Sequence, residues 1–116
     1  MQKLIIYQKS KELLKEIYKL IFSTKIKNDY GLSDQLKRAA LSVVLNIAEG
    51  YGRGPKHFRN YLLISNGSVN ETIACLEVIE DIYSIPTKTY ITKYEYLGRQ
   101  ISVFSSKLKS QYSKIK

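Results

Sequence analysis

Residues 39–54 read AALSVVLNIAEGYGRG. The stretch opens with small and β-branched residues, turns polar at Asn46 and Glu49, and ends with Gly50, Gly52 and Gly54 around Arg53. At about 100° per residue, Leu36, Ala40, Val43, Val44 and Ile47 form one broad apolar face, which Leu41, Leu45 and Ala48 extend on one side. The polar remainder is narrow. Gln35, Arg38, Ser42, Asn46, Glu49 and Arg53 fall within about 80° of arc. This spacing predicts a helix over 32–49, with Ser33 as N-cap, mostly buried against more than one neighbour.

The flanking sequence supplies the neighbours. Over 3–22, Leu4, Tyr7, Leu13, Leu14, Ile17, Tyr18 and Ile21 recur at helical spacing, and Glu12–Lys15 and Glu16–Lys19 pair on the other face. STKIKNDYG (23–31) reads as a linker. Beyond the glycines, Pro55 suits the first turn of a long helix over 55–84. There Phe58, Leu62, Ser65, Val69, Thr72, Leu76, Ile79 and Tyr83 step by fours and threes, as a heptad seam does. Small residues sit at its middle. Gly67 and Ser68, facing Ala39, Ala40 and Ser42, would let two backbones approach closely, a packing reason for a mid-helix glycine that costs about 1 kcal/mol against Ala.

Pro86 breaks the chain, and Thr87 can cap a fourth helix. Tyr90, Tyr94, Leu97, Ile101, Phe104, Leu108 and Tyr112 repeat the seam, while Lys88, Lys93, Arg99, Lys107, Lys109 and Lys114 occupy the opposite face. No segment alternates with a period of two over a strand's length. Four amphipathic helices with short joints predict an all-α fold, an antiparallel up-and-down four-helix bundle, as a single domain over 1–116.

Composition bounds the function. A chain of 116 residues supports one core. Cys75 is the sole cysteine, so no internal disulfide is available and no oxidising compartment is needed. The apolar run near the N-terminus, Leu4–Ile6, is too short for a secretory signal, and no stretch approaches a membrane span. The expectation is a cytoplasmic protein. The net charge is +9, from 19 basic and 10 acidic residues. Along the chain, 1–29 carries +4, 30–54 +1, 55–86 −2 and 87–116 +6. Basic ends around a near-neutral middle suggest a polyanionic partner.

The sequence resembles the four-helix-bundle family of the 23S rRNA-intervening sequence proteins. The resemblance is carried by YGLSDQLKRAALSVVLNIAEGYGRG (30–54) and FRNYLLISNGSVNET (58–72). The family's Gln-Leu-Arg-Arg-Ala-Ala lead, Asn-Ile-Ala-Glu-Gly core, Gly-Arg exit and later Gly-Ser with Glu become Gln35–Ala40, Asn46–Gly50, Gly52-Arg53, and Gly67-Ser68 with Glu71. YQKSKELLKEIYKLI (7–21) fits the first helix. Lys37 replaces an Arg, Tyr7 stands where Trp is frequent, and Ser65-Asn66 replaces a pair that contains Ala. The resemblance implies an antiparallel bundle in a ring-like homo-oligomer, often a pentamer, with a non-enzymatic, nucleic-acid-associated role. Relatives serve as accessory proteins of diversity-generating retroelements, where they bind a reverse transcriptase.

The residues offer little for catalysis. Glu49 could be imagined as a general base, yet no second carboxylate, Cys or His stands near it in sequence. His57 gives no metal cluster by itself, and no cofactor motif is present. GYGRG resembles a phosphate-binding loop followed by a helix N-terminus, but it lacks the preceding strand and the Lys-Ser/Thr ending of a P-loop. A helix end at Gly50 or Gly52 is the simpler reading. The stripe of Arg38, Asn46, Glu49 and Arg53 then reads as an internal or intersubunit network that fixes helix register, since a buried unpaired charge is very costly.

For nucleic acid, the Lys faces of the first and fourth helices are the expected surface, with Lys15, Lys19, Arg99, Lys107 and Lys109 as phosphate contacts. Ten tyrosines could stack on bases, but most lie on apolar seams. The alternative is a protein-interaction scaffold, or an accessory subunit of a reverse transcriptase, whose basic surface docks a protein.

Overall fold

The computed structural model describes residues 2–115. The described chain contains four α-helices: α1 (Gln2–Phe22), α2 (Tyr30–Gly50), α3 (Pro55–Tyr83) and α4 (Lys88–Ile115). Each packs on its neighbour in sequence, and α4 returns to α1. The result is the antiparallel four-helix bundle that the apolar spacing predicts, about 52 Å long and 20 Å across.

The seams form the core. Of the eight α3 seam positions, Phe58, Leu62, Ser65, Val69, Thr72, Leu76 and Ile79 are buried, and Tyr83 is half-buried at the end. On α4, Tyr94, Leu97, Ile101 and Leu108 are buried. Cys75 belongs to the same core, where burial pushes its thiol upward and away from the reactive thiolate. The α2–α3 contact is close and partly polar. Ser65 Oγ donates to the Val43 carbonyl at 2.8 Å, and Ser68 Oγ meets Ser42 Oγ at 2.8 Å. The serines therefore satisfy each other and the backbone inside an otherwise apolar seam.

Several local expectations change. The 23–31 linker holds a 3₁₀ turn, Lys25–Asn28, capped by Thr24 and pinned by the fully buried Ile26. α2 starts earlier than expected because Asp29, not Ser33, is its N-cap, accepting from the Leu32 N–H at 3.1 Å. Ser33 is a buried residue of the first turn. Thr87 does not turn its hydroxyl to α4. Its single hydroxyl proton is shared between the Leu76 carbonyl at 3.1 Å and Glu80 Oε1 at 2.9 Å, and its backbone N–H donates to Glu80 Oε1 at 2.9 Å, so the α3–α4 joint is latched back onto α3.

Gly67 has no packing role within the chain, since a Cβ there would meet nothing within 4 Å. The close approach is at Gly50, where a Cβ would lie 2.7 Å from Phe58 Cδ1 and 3.0 Å from Tyr61 Cβ. Gly52 takes the left-handed turn with φ 86°. These two glycines make the α2–α3 joint, one by lack of bulk and the other by backbone freedom.

Candidate nucleic-acid interface

The polar stripe of α2 lies at the surface. Arg53 holds Glu49 at 2.7 Å through Nη2, and its Nε donates to the Glu49 carbonyl at 2.9 Å, with both side chains about half exposed. Arg38 pairs with Asp34, and both are largely exposed. Asn46 donates to the Ser42 carbonyl at 2.9 Å on its own helix. Asn46 also donates to Ser42 Oγ at 3.0 Å, which in turn meets Ser68 Oγ of α3 at 2.8 Å, so the uncharged part of the stripe joins α2 to α3. The charged members do not take part: they point away from the core, and their ion pairs join residues four apart on α2. A further cross-helix bond runs from Gln35 to Glu71 at 3.2 Å.

The five expected phosphate contacts are all exposed. The fold separates them. Lys15 and Lys19 share one face of α1, being four apart, whereas Lys107 and Lys109 are two apart and project to opposite sides of α4. Lys114 continues α4, and its side chain lies outside the described residues.

The antiparallel register sorts charge in a way the linear sequence hides. The Ser65–Val43 and Asn66–Ser102 bonds set the waist of the bundle. No charged residue lies in 39–48, 60–70 or 100–106, so on α2, α3 and α4 the waist is uncharged. Beyond it, on the side of the α2–α3 joint, stand Lys3 and Lys11 of α1, and Arg53, Lys56 and Arg59 around the joint. Lys107 and Lys109 of α4 complete the set. Among the described residues, seven basic residues face one acid there, Glu49. Lys9 lines a cleft with Glu12, Glu16, Lys93 and Arg99, so on the other side of the waist ten basic residues, from Lys9 to Arg99, meet nine acids, from Glu12 to Glu95. The net charge therefore belongs mostly to one end. Lys15, Lys19 and Arg99 fall in the nearly neutral half, and Lys107 and Lys109 in the basic one.

Aromatic rings interleave with the cations at the basic end. Tyr7, Tyr51, Phe58 and Phe104 form a continuous row, with successive centroids 6.2, 6.3 and 5.4 Å apart. Lys3 sits 4.9 Å over the Tyr51 ring, Lys11 4.4 Å over Tyr7, and Arg53 5.2 Å over Tyr61. Lys3 and Tyr51 were hidden in the sequence because they meet from distant parts of the chain, whereas Lys11 and Tyr7 are four apart on α1. The three charge-free stretches are the signal that could have located them.

Among the described residues no group of His, Cys, Asp and Glu could hold a metal ion, and no helix is long and apolar enough to cross a membrane. His57 is exposed in the first turn of α3.

A family model described as 23S rRNA-intervening sequence protein matches residues 2–105. A solved structure from Bacteroides thetaiotaomicron, a protein of unknown function from the S23 ribosomal protein family, superposes with a TM-score of 0.80 at 22% identity. The match covers 91% of this chain and 99% of that one, and shows a shared fold. No curated protein matches the sequence.

Proposed function

This chain belongs to the 23S rRNA-intervening sequence protein family, and on that footing we propose that it is a non-enzymatic, oligomeric nucleic-acid-binding protein that meets RNA with the basic end of its bundle. The observation that carries the reading is the charge partition. Among the described residues, one half holds seven basic residues against Glu49, and the other is nearly balanced. A polyanion is the partner for which such an end has a use, because each neutralised phosphate releases counterions. Lysines outnumber arginines there, which favours phosphate contact over base-edge readout.

The waist supports self-association. It exposes Leu41, Leu45, Leu63, Ile64 and Val103 on three helices, each at least 38% accessible, with no charge among them. Charge-depleted apolar surface is what the centre of a subunit interface requires. The family resemblance implies a ring, often of five copies. A ring would repeat the basic ends and raise avidity with no new type of contact.

The test is fluorescence anisotropy with a structured RNA, its single-stranded scramble and duplex DNA, at two salt concentrations. Binding should weaken as salt rises. Lys107→Ala and Lys109→Ala should each flatten the salt dependence by about 0.7–0.9 in log–log slope per lost phosphate contact, whereas Lys15→Ala and Lys19→Ala should change it less. Absence of binding to all three ligands at low salt would reject the reading and leave the basic end to an acidic protein partner.

A further inference from the structure

At the basic end, a cleft of about 280 Å³ opens between the start of α1, the α2–α3 joint and the end of α4. Its volume is near the lower limit for small-molecule sites. Phe58, Phe104 and Leu108 line it with apolar surface, and Lys3, Arg53 and Gln111 supply its polar groups. Phe58 and Phe104 meet edge to face at 5.4 Å, which fixes both rings.

We propose that this cleft receives one unpaired nucleobase of a single-stranded RNA, with the adjoining phosphate held by Lys3 and Arg53. The inference rests on the nucleic-acid reading above and specifies what that surface recognises. Three observations favour a nucleobase over an apolar peptide side chain. Among the described residues the lining contains two cations and no acid, with Arg53 paired to Glu49 outside it, so its charge favours an anionic ligand. Both cations of the cleft stand beside rings, Lys3 over Tyr51 and Arg53 over Tyr61, and cations next to stacking surfaces suit a strand whose phosphates alternate with bases. Gln111 both donates and accepts hydrogen bonds, so it can meet the edge of any base.

Arg53 donates from Nε to the Glu49 carbonyl and from Nη2 to the Glu49 carboxylate. The guanidinium is thereby oriented before a phosphate arrives. A duplex keeps its bases stacked inside and can offer this end only phosphates, so the cleft should distinguish single strands from duplexes.

The experiment compares three ligands at low salt by anisotropy: a short single-stranded RNA, an abasic strand of equal length, and the duplex of the same sequence. The single strand should bind tighter than the abasic strand by on the order of tenfold, the size of one base–aromatic stack. The duplex should behave as the abasic strand does. Gln111→Trp, at an exposed position on α4, should fill the cleft. It should abolish that tenfold difference without lowering the melting temperature. Equal binding of the single strand and the abasic strand would overturn the cleft proposal and leave the nucleic-acid reading intact. Failure of all three to bind would overturn both. A Gln111→Trp protein that keeps the full difference would place base recognition elsewhere and reject the cleft.

Discussion

Tyr83 donates its hydroxyl to Asp29 Oδ2 across 2.6 Å, joining the last residue of α3 to the N-cap of α2. The bond holds the Asp29 carboxyl below its ordinary 3.8, helped by the Leu32 N–H, and raises the Tyr83 phenol above 10.0. At the next joint, the backbone N–H of Thr87, and then its hydroxyl, hold Glu80 below 4.5. A carboxylate with a depressed value stabilises the fold above its unfolded value, and that stabilisation is lost as pH falls through the folded one. A phenol with a raised value stabilises the fold below 10.0 and loses that contribution as pH rises further. The melting temperature should therefore decline below about pH 4.5. Asp29→Asn and Glu80→Gln should each melt lower than the parent at neutral pH and show a shallower acid decline. Thermal melts across pH would check this, and an unchanged acid limb in the double variant would refute it.

Gly50 and Gly67 should respond oppositely to alanine. Gly50→Ala drives a methyl into Phe58 and the Tyr61 Cβ, and overpacking of that kind costs about 1–3 kcal/mol. Gly67→Ala adds a methyl in open space on a helix, worth about 1 kcal/mol of added stability. Denaturant titration of both variants reads the two signs directly. If Gly67→Ala instead weakens self-association, that glycine is an intersubunit contact.

Thr87→Val keeps the shape and removes the hydroxyl. The Leu76 carbonyl keeps its helical bond, and the hydroxyl's shared bond to Leu76 and Glu80 is lost, at a cost of about 0.5–1.5 kcal/mol. In a domain of this size that lowers the melting temperature by several degrees. A melt within a degree of the parent would show that the latch is dispensable.

The waist should control assembly. Leu45 and Ile64 are each 54% accessible in the single chain, so Leu45→Glu and Ile64→Glu should leave the secondary structure intact. In an oligomer built through the waist, each would bury a charge and favour dissociation. Light scattering coupled to gel filtration measures the mass. A monomeric parent would remove the oligomer from the proposed function.

The helices were legible because apolar residues recur with the period of a helix in all four, and the seam of α3 is a seam in the fold. Their joints were less so. A single Ile26 in a polar stretch carries no period, yet its burial holds the 3₁₀ turn in place. Asp29 and Ser33 are both acceptable caps, and only the Tyr83 contact from a distant helix separates them. Gly67 misled because it is two residues from Ser65 and from Val69, which puts it on the opposite side of the helix from the seam. Of the expected site, the exposure of the basic side chains was foreseeable. Their sorting to one end was not, because it emerges only when four stretches of chain are laid side by side.

That sorting also makes the molecule a rod with a permanent electric dipole, carried along a length of 52 Å. In the field of a polyanion such a rod experiences a torque as well as an attraction, and it turns before it touches. The α2–α3 joint therefore arrives first, and few encounters are spent in unproductive orientations. Association should slow as added salt shortens the range of the field, because the rods then reach the strand unaligned.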